Sequence, residues 1–198
     1  MPKATTVQRI PSASHVQRRT PASFPKRREL AHLSSLEDFH RVGGSEQVLV
    51  PLDLALVDFQ GADLREVNWH EADLTGANLS HAILSAADLT QIRALGANLA
   101  EAQLEEVIAC GAALCGVNLR NASLRNANLQ NANLAWSDLR QADLFAADLR
   151  GANLAWADLR EANLRHVNLS QARYNCHTQW PAGFDIDDHK LVLWPALC

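Results

Sequence analysis

The chain has 198 residues, a formal net charge of −4 and an apolar fraction of 47%, with 6% aromatics and one Met. That length suits one ordinary globular domain, and no window approaches the roughly 18 uninterrupted apolar residues of a membrane-spanning helix, so a soluble, cytoplasmic protein is expected. Four cysteines, Cys110, Cys115, Cys176 and Cys198, show neither CxxC nor a metal-finger spacing; they are expected as reduced structural thiols, a Cys110 to Cys115 disulfide being the alternative.

Residues 1–28 differ in kind from the rest. They hold seven Lys/Arg, no Asp or Glu and four Pro, a composition too polar and too charged to build a core by itself. A basic arm that orders on an acidic partner is the expectation, with Arg18, Arg19, Arg27 and Arg28 as contact residues. An Arg-rich, Ser-containing, acid-free segment is also the composition of a transit peptide, which makes organelle targeting the alternative. Residues 29–51 are expected to cap the body that follows. Within them SSLEDFHRV, 34–42, reads as a short helix with Ser34 and Glu37 as a capping box.

From residue 52 the chain divides into fives: LDLAL, VDFQG, ADLRE, VNWHE, ADLTG, ANLSH and so on to VNLSQ and ARYNC, ending at 176. A helix at about 100° per residue would rotate successive Leu by about 140° and spread them over every face. A flat strand would flip them from side to side, because five is odd. A chain that turns a corner every five residues, with its first and third positions inward, avoids both failures. A longer period counts the corners: Gly76, Gly96 and Gly116 are twenty apart, and AWSDLR at 135 recurs as AWADLR at 155. Four units per turn, parallel coils about 4.8 Å apart and just over six coils then give a rod roughly 30 Å long.

Exceptions inside the pattern follow from packing. Ile92 replaces the small first residue in the unit where Ala94 replaces Leu, and Val107 pairs likewise with Ala109, so volume is conserved within a unit. Asp or Asn at the second position suits a corner, and Asn78, Asn98 and Asn118 would stack as an amide ladder. Phe59 and Trp69 fill core positions of the first coils. After the repeats, Trp180, Phe184, Ile186 and LVLW at 191–194 are expected to cover the last one, with 177–198 as a C-terminal cap.

These units resemble the pentapeptide-repeat family, whose signature is A(D/N)LXX, over residues 52–176. ARYNCHTQWPAGFD, 172–185, resembles the closing segment of many members, particularly cyanobacterial ones. The resemblance implies an all-β fold, a right-handed quadrilateral parallel β-helix.

Enzyme motifs are absent: there is no P-loop, GxGxxG, HExxH or GxSxG, and eight His are scattered over unrelated faces. No enzyme activity, cofactor or metal is expected. Function is therefore sought on the outer faces. One is expected to carry Leu56, Leu95, Cys115, Trp136, Trp156 and Cys176, an apolar strip of the kind that marks a partner site. The bland alternative is that the two Trp stack on each other or lie under the tail. A second face stacks Arg120, Arg140 and Arg160 beside Asp138 and Asp158, as a solvated ion-pair network or as a seat for an acidic partner. A third carries Arg125, Phe145 and Arg165.

Two functional readings follow. The first is a non-enzymatic scaffold or linker that docks on a protein partner, a larger assembly or a second copy of itself through Trp136, Trp156 and Leu95, the Arg120, Arg140 and Arg160 ladder and the basic arm. The second comes from the resemblance: some members protect DNA gyrase from quinolones by mimicking DNA with an acidic surface. Here residues 51–111 carry ten acids against two Arg, but 112–174 carry seven Arg against five acids, which departs from a uniformly acidic rod. Nucleic-acid binding through the arm and the Arg ladder ranks lower, since the body from 51 to 198 holds eighteen acids against ten Lys/Arg and repels phosphate.

Overall fold

The computed structural model describes residues 52–194. The expected helix at 34–42 and the arm with Arg18, Arg19, Arg27 and Arg28 lie outside the described residues. Within them, one local device recurs every five residues. The side chain at the second position of a unit accepts the backbone N–H two residues on, as Asp53 Oδ1 does from Ala55 at 3.1 Å and Asn98 Oδ1 from Ala100 at 3.3 Å. The next unit's first N–H then donates back to the third carbonyl, Val57 to Leu54 at 3.2 Å and Ala122 to Leu119 at 3.1 Å, closing a four-residue turn. Its third residue sits at positive φ, +62° at Leu56 and +57° at Asn121, as a type II turn requires. Where an Asp or Asn precedes a corner it captures the N–H the turn would leave exposed; Ile83, Arg93, Gln103, Ile108, Ala113 and Ser123 stand at that position in other units.

Corners at this spacing bring the chain back over itself. Parallel bridges join Asp53 to Asp73, Asp58 to Asn78, Asp63 to Ile83 and Asn68 to Asp88, and the same twenty-residue interval continues to Asn153 with Arg173. Each side of a coil donates upward from its third and fifth residues and downward from its second: Leu54 N to Asp73 O at 2.7 Å, Leu56 N to Thr75 O at 2.9 Å, Asp73 N to Leu52 O at 2.8 Å. Four sides of five residues make one parallel β-helical circuit, as the period predicts.

Inside, the third-position Leu and first-position Ala stack into a continuous core from Leu52 to Ala172, nearly all without solvent exposure. Ile92 with Ala94 and Val107 with Ala109 are buried in that core, so the volume exchanges within those units are real packing compensations. Phe59 and Trp69 are buried with ring centroids 5.2 Å apart and widen the first coil's filling. Outside, Asn98 Nδ2 donates to Asn78 Oδ1 at 3.1 Å and Asn118 Nδ2 to Asn98 Oδ1 at 3.0 Å, which is the amide ladder.

At the far end strand β1, Arg173–Tyr174, pairs in parallel with strand β2, Val192–Leu193, and a single turn of 3-10 helix, Asp187–His189, lies between them. Trp180, Phe184 and Leu191 pack against the last core layer. Trp180 stacks on Phe184 at 5.0 Å and Phe184 on His189 at 4.7 Å, so the cap is an aromatic lid.

Leu124 is buried in the Leu column of the core, so Leu124→Ala should lower stability by about 2–5 kcal/mol in urea unfolding. Asn126→Ala, at an exposed corner, should cost less than about 1 kcal/mol in the same measurement, since Ala already occupies such corners at Ala86 and Ala146.

Candidate docking corner and its charged flank

The fifth residue of each unit stands at a corner, and one corner column differs from the others. Reading along the rod it runs Leu56, Gly76, Gly96, Gly116, Trp136 and Trp156, all at φ between +62° and +67°. Positive φ turns each side chain away from the tube wall, so a large residue projects where a glycine leaves the corner flat. Trp136 and Trp156 lie in parallel, ring centroids 4.3 Å apart and planes 7° apart. Trp136 keeps 58% of its surface exposed, so the described part of the tail does not cover it.

The column's next member corrects the equal-interval reading of the last unit. Asp158 bridges to Gln179, an interval of 21, so one extra residue enters between Tyr174 and Thr178. It is His177, and not Cys176, that stacks on Trp156, centroids 3.7 Å apart and planes 11° apart. Side chains repair the lost backbone register. Asn175, buried, accepts the Trp156 N–H on Oδ1 at 3.0 Å, in place of a carbonyl of the next coil. Thr178 Oγ1 accepts the Asn175 N–H at 3.1 Å and donates to Leu154 O at 2.9 Å. The signal in the sequence was NCHT, a short polar run where the A(D/N)L pattern fails.

A second correction concerns Leu95 and Cys115, which the sequence pattern sets on one face with the indoles. They occupy the fourth position, one residue before Gly96 and Gly116, and belong to the neighbouring column with Thr75, Ala135 and Ala155. Leu95 is 42% exposed and flanks the glycine stretch, so it borders the Trp column without being part of it. Cys110 and Cys115 are free thiols, which removes the Cys110 to Cys115 disulfide. Burial pushes the Cys110 thiol above its ordinary pKa, which keeps it protonated and unreactive.

The Arg ladder on the adjoining side is largely occupied within the chain. Arg140 Nε donates to Asp138 Oδ1 at 2.8 Å, and Arg160 Nε to Asp158 Oδ1 at 2.9 Å, each as a two-toothed pair two residues apart. Arg140 also lies 3.6 Å from Asp158 on the next coil, linking the two pairs. The Arg140 hydrogen bonds hold the Asp138 carboxyl below its ordinary value, and those of Arg160 do the same for Asp158. Arg120 differs, because Asn118 replaces the aspartate; its guanidinium donates to Gln141 Oε1 at 3.5 Å and its charge acts on Asp138 of the next coil. Of the three, Arg120 is the one without a two-toothed carboxylate pair. On a further side Arg125 pairs with Asp143 at 2.8 Å and covers the Phe145 ring at 4.6 Å, which accounts for that aromatic locally.

Among the described residues no group of three or more His, Cys, Asp or Glu is placed to hold a metal ion, and no helix is long and apolar enough to cross a membrane.

Comparison with known proteins identifies the same sequence repeat. The family profile described as pentapeptide repeats matches residues 53–91, 97–135 and 137–173 in eight copies. Among solved structures, a pentapeptide repeat protein of the cyanobacterium Cyanothece 51142 is 31% identical over 62% of this chain and 90% of that one, TM-score 0.34. HetL of Nostoc sp. strain PCC 7120, involved in heterocyst differentiation regulation, is 32% identical over 78% of this chain and 74% of that one, TM-score 0.28. QnrB1, a plasmid-mediated fluoroquinolone resistance protein, is 17% identical over 74% of this chain and 81% of that one, TM-score 0.35. No curated protein matches the chain.

The paired aspartates give the fold an acid dependence. Asp138 and Asp158 titrate below the ordinary 3.8 when folded, so the unfolded chain takes up protons first as pH falls. Their contribution is complete above the unfolded value and is lost as pH drops through the folded one. The urea midpoint should therefore decline from about pH 5 downward, and the double variant Asp138→Asn with Asp158→Asn should show a shallower decline.

Proposed function

The chain belongs to the pentapeptide-repeat family, and from that premise we propose that it is a non-enzymatic scaffold, a rigid right-handed rod of about six four-sided coils that docks on a protein. The Trp136 and Trp156 corner is the docking element. Arg120 supplies charge beside it, Arg140 and Arg160 stiffen that flank through their aspartates, and Leu95 widens the apolar border. The basic segment with Arg18, Arg19, Arg27 and Arg28 is a second point of attachment.

One observation carries this reading: a fixed pair of indoles with one ring face open to solvent, on a wall whose other large apolar side chains are mostly buried. An exposed aromatic held rigid by a stack has lost its conformational freedom before binding, and rigid Trp anchors contribute most where interfaces depend on few residues. The filled core supports a binding role over catalysis, because ligand chemistry ordinarily needs a concave pocket and the tube's interior is occupied by Leu and Ala.

Crosslinking the native protein in its source cells and identifying what is attached tests the reading. Recovery of the attached protein should fall at least tenfold for the double variant Trp136→Ala with Trp156→Ala, about the effect of losing a hot-spot residue. Unchanged recovery removes the corner from the interface. Deleting residues 1–28 should weaken recovery while leaving the β-helix circular dichroism as it was.

A further inference from the structure

The geometry points to a second copy of this chain as an occupant of the Trp corner, in an antiparallel two-fold dimer whose aromatic columns join end to end. This rests on the reading of that corner as a docking face and names a partner for it.

The corner column divides into three glycine positions and three ring positions, with Leu56 beyond the glycines. Its later half is three stacked rings, Trp136, Trp156 and His177. Its earlier half is three glycines, Gly76, Gly96 and Gly116, ended by Leu56. Above Gly96 and Gly116 the space is open, with no atom within 4 Å of where a Cβ would stand. At Gly76 that space holds Leu56 Cδ2, 2.7 Å from the same point, so the Leu56 side chain folds over the last glycine. Leu56 is itself 70% exposed. Three projecting rings therefore adjoin two open positions, Gly116 and Gly96, and a third, Gly76, roofed by the Leu56 side chain as an apolar stop.

A two-fold axis across the rod, midway between the levels of Gly116 and Trp136, superposes each half on the other. Trp136 of one copy then stands over Gly116 of the other, Trp156 over Gly96, and His177 over Gly76 and the Leu56 side chain. Coils are about 4.8 Å apart, so the incoming Trp136 lies about one coil step from the Trp136 already there. That is close to the 4.3 Å at which Trp136 stacks on Trp156. The open ring face of each Trp136 meets the other, and the two columns become one stack of six rings.

Charge agrees with the antiparallel sense. Residues 51–111 hold ten acids against two Arg and residues 112–174 hold seven Arg against five acids, so reversing one rod sets its acidic coils beside the other's Arg-bearing coils. The same axis brings Asp73 of one copy, which pairs with Arg93 at 3.3 Å, to the level of Arg173 of the other, which lies exposed over Trp194. A parallel pairing would set ring against ring and glycine against glycine, leaving a gap along the glycine half. Closure by a two-fold also limits the assembly to two, as an isologous contact does.

The contact is a corner and not a broad face, so its area falls near or below the ~1,200 Å² at the low end of stable interfaces. A weak dimer that dissociates on dilution is the expected behaviour.

Sedimentation of the full chain tests this without any other protein. The chain should pass from monomer to dimer as its concentration rises to about 200 μM, a micromolar range suited to a small interface. Trp136→Ala and Gly116→Gln should each raise the dissociation constant at least tenfold. Both variants should fold, because Ala86 and Ala146 and Gln91, Gln141 and Gln171 occupy the same corner position at positive φ elsewhere in the rod. His166→Ala, on a different corner, should leave the dimer unchanged. A chain that stays monomeric, or a dimer that neither variant weakens, overturns the proposal. If the chain stays monomeric while crosslinked recovery still depends on the two Trp, the corner docks a different protein and the scaffold reading stands. If recovery is also independent of them, both fail.

Discussion

Everything in this rod depends on the corner. Every five residues the backbone must enter positive φ, a conformation that costs an L-residue roughly 1–2 kcal/mol when nothing supports it. At most corners preceded by Asp or Asn, support comes from three bonds: that side chain on the N–H two residues on, a turn-closing bond, and a bond from the corner's own N–H to the coil above, such as Trp136 N to Ala155 O at 3.0 Å. Stacked coils make them cooperative, because each circuit supplies acceptors for the one before it, as in other repeat architectures where stability resides in neighbour contacts.

That arrangement separates structure from function by position in the unit. First and third residues are fixed by the narrow core, and second residues by the corner hydrogen bond. Fourth and fifth residues answer to neither, so surface chemistry can be written there at little structural expense. The corner holding Trp136 and Trp156 and the flank holding Arg120, Arg140 and Arg160 are both drawn from these positions. Their effects differ because indoles stack into a stiff column with one open face, whereas Arg140 and Arg160 turn back onto Asp138 and Asp158 and neutralise themselves. Arg120 keeps its charge because Asn118 lies where those two have aspartate, a difference of one atom type.

The register slip at the end of the repeats shows how such a lattice tolerates irregularity. An extra residue would leave the Trp156 N–H without its carbonyl, a serious cost for a partly buried donor. Asn175 and Thr178 replace the missing bonds with side-chain oxygens, and in doing so they bring His177 to the end of the indole stack. A repair of the backbone thereby extends the aromatic surface.

The sequence by itself determined the period, the inward Leu and Ala, the Asn ladder, the volume exchanges at Ile92 and Val107, and the nearness of Trp136 to Trp156, because each follows from counting residues along an unbroken repeat. It did not show that the Leu56 side chain folds over Gly76 while the space above Gly96 and Gly116 stays open, since side-chain direction is set by the coils on either side. It did not place His177 over Trp156, because an insertion changes the count and the bonds that absorb it are made through space. Nor did it show that Arg140 and Arg160 are spent on their own aspartates while Trp136 keeps an open face. Pairing and exposure depend on where side chains fall relative to the coils above and below, which tertiary stacking alone decides.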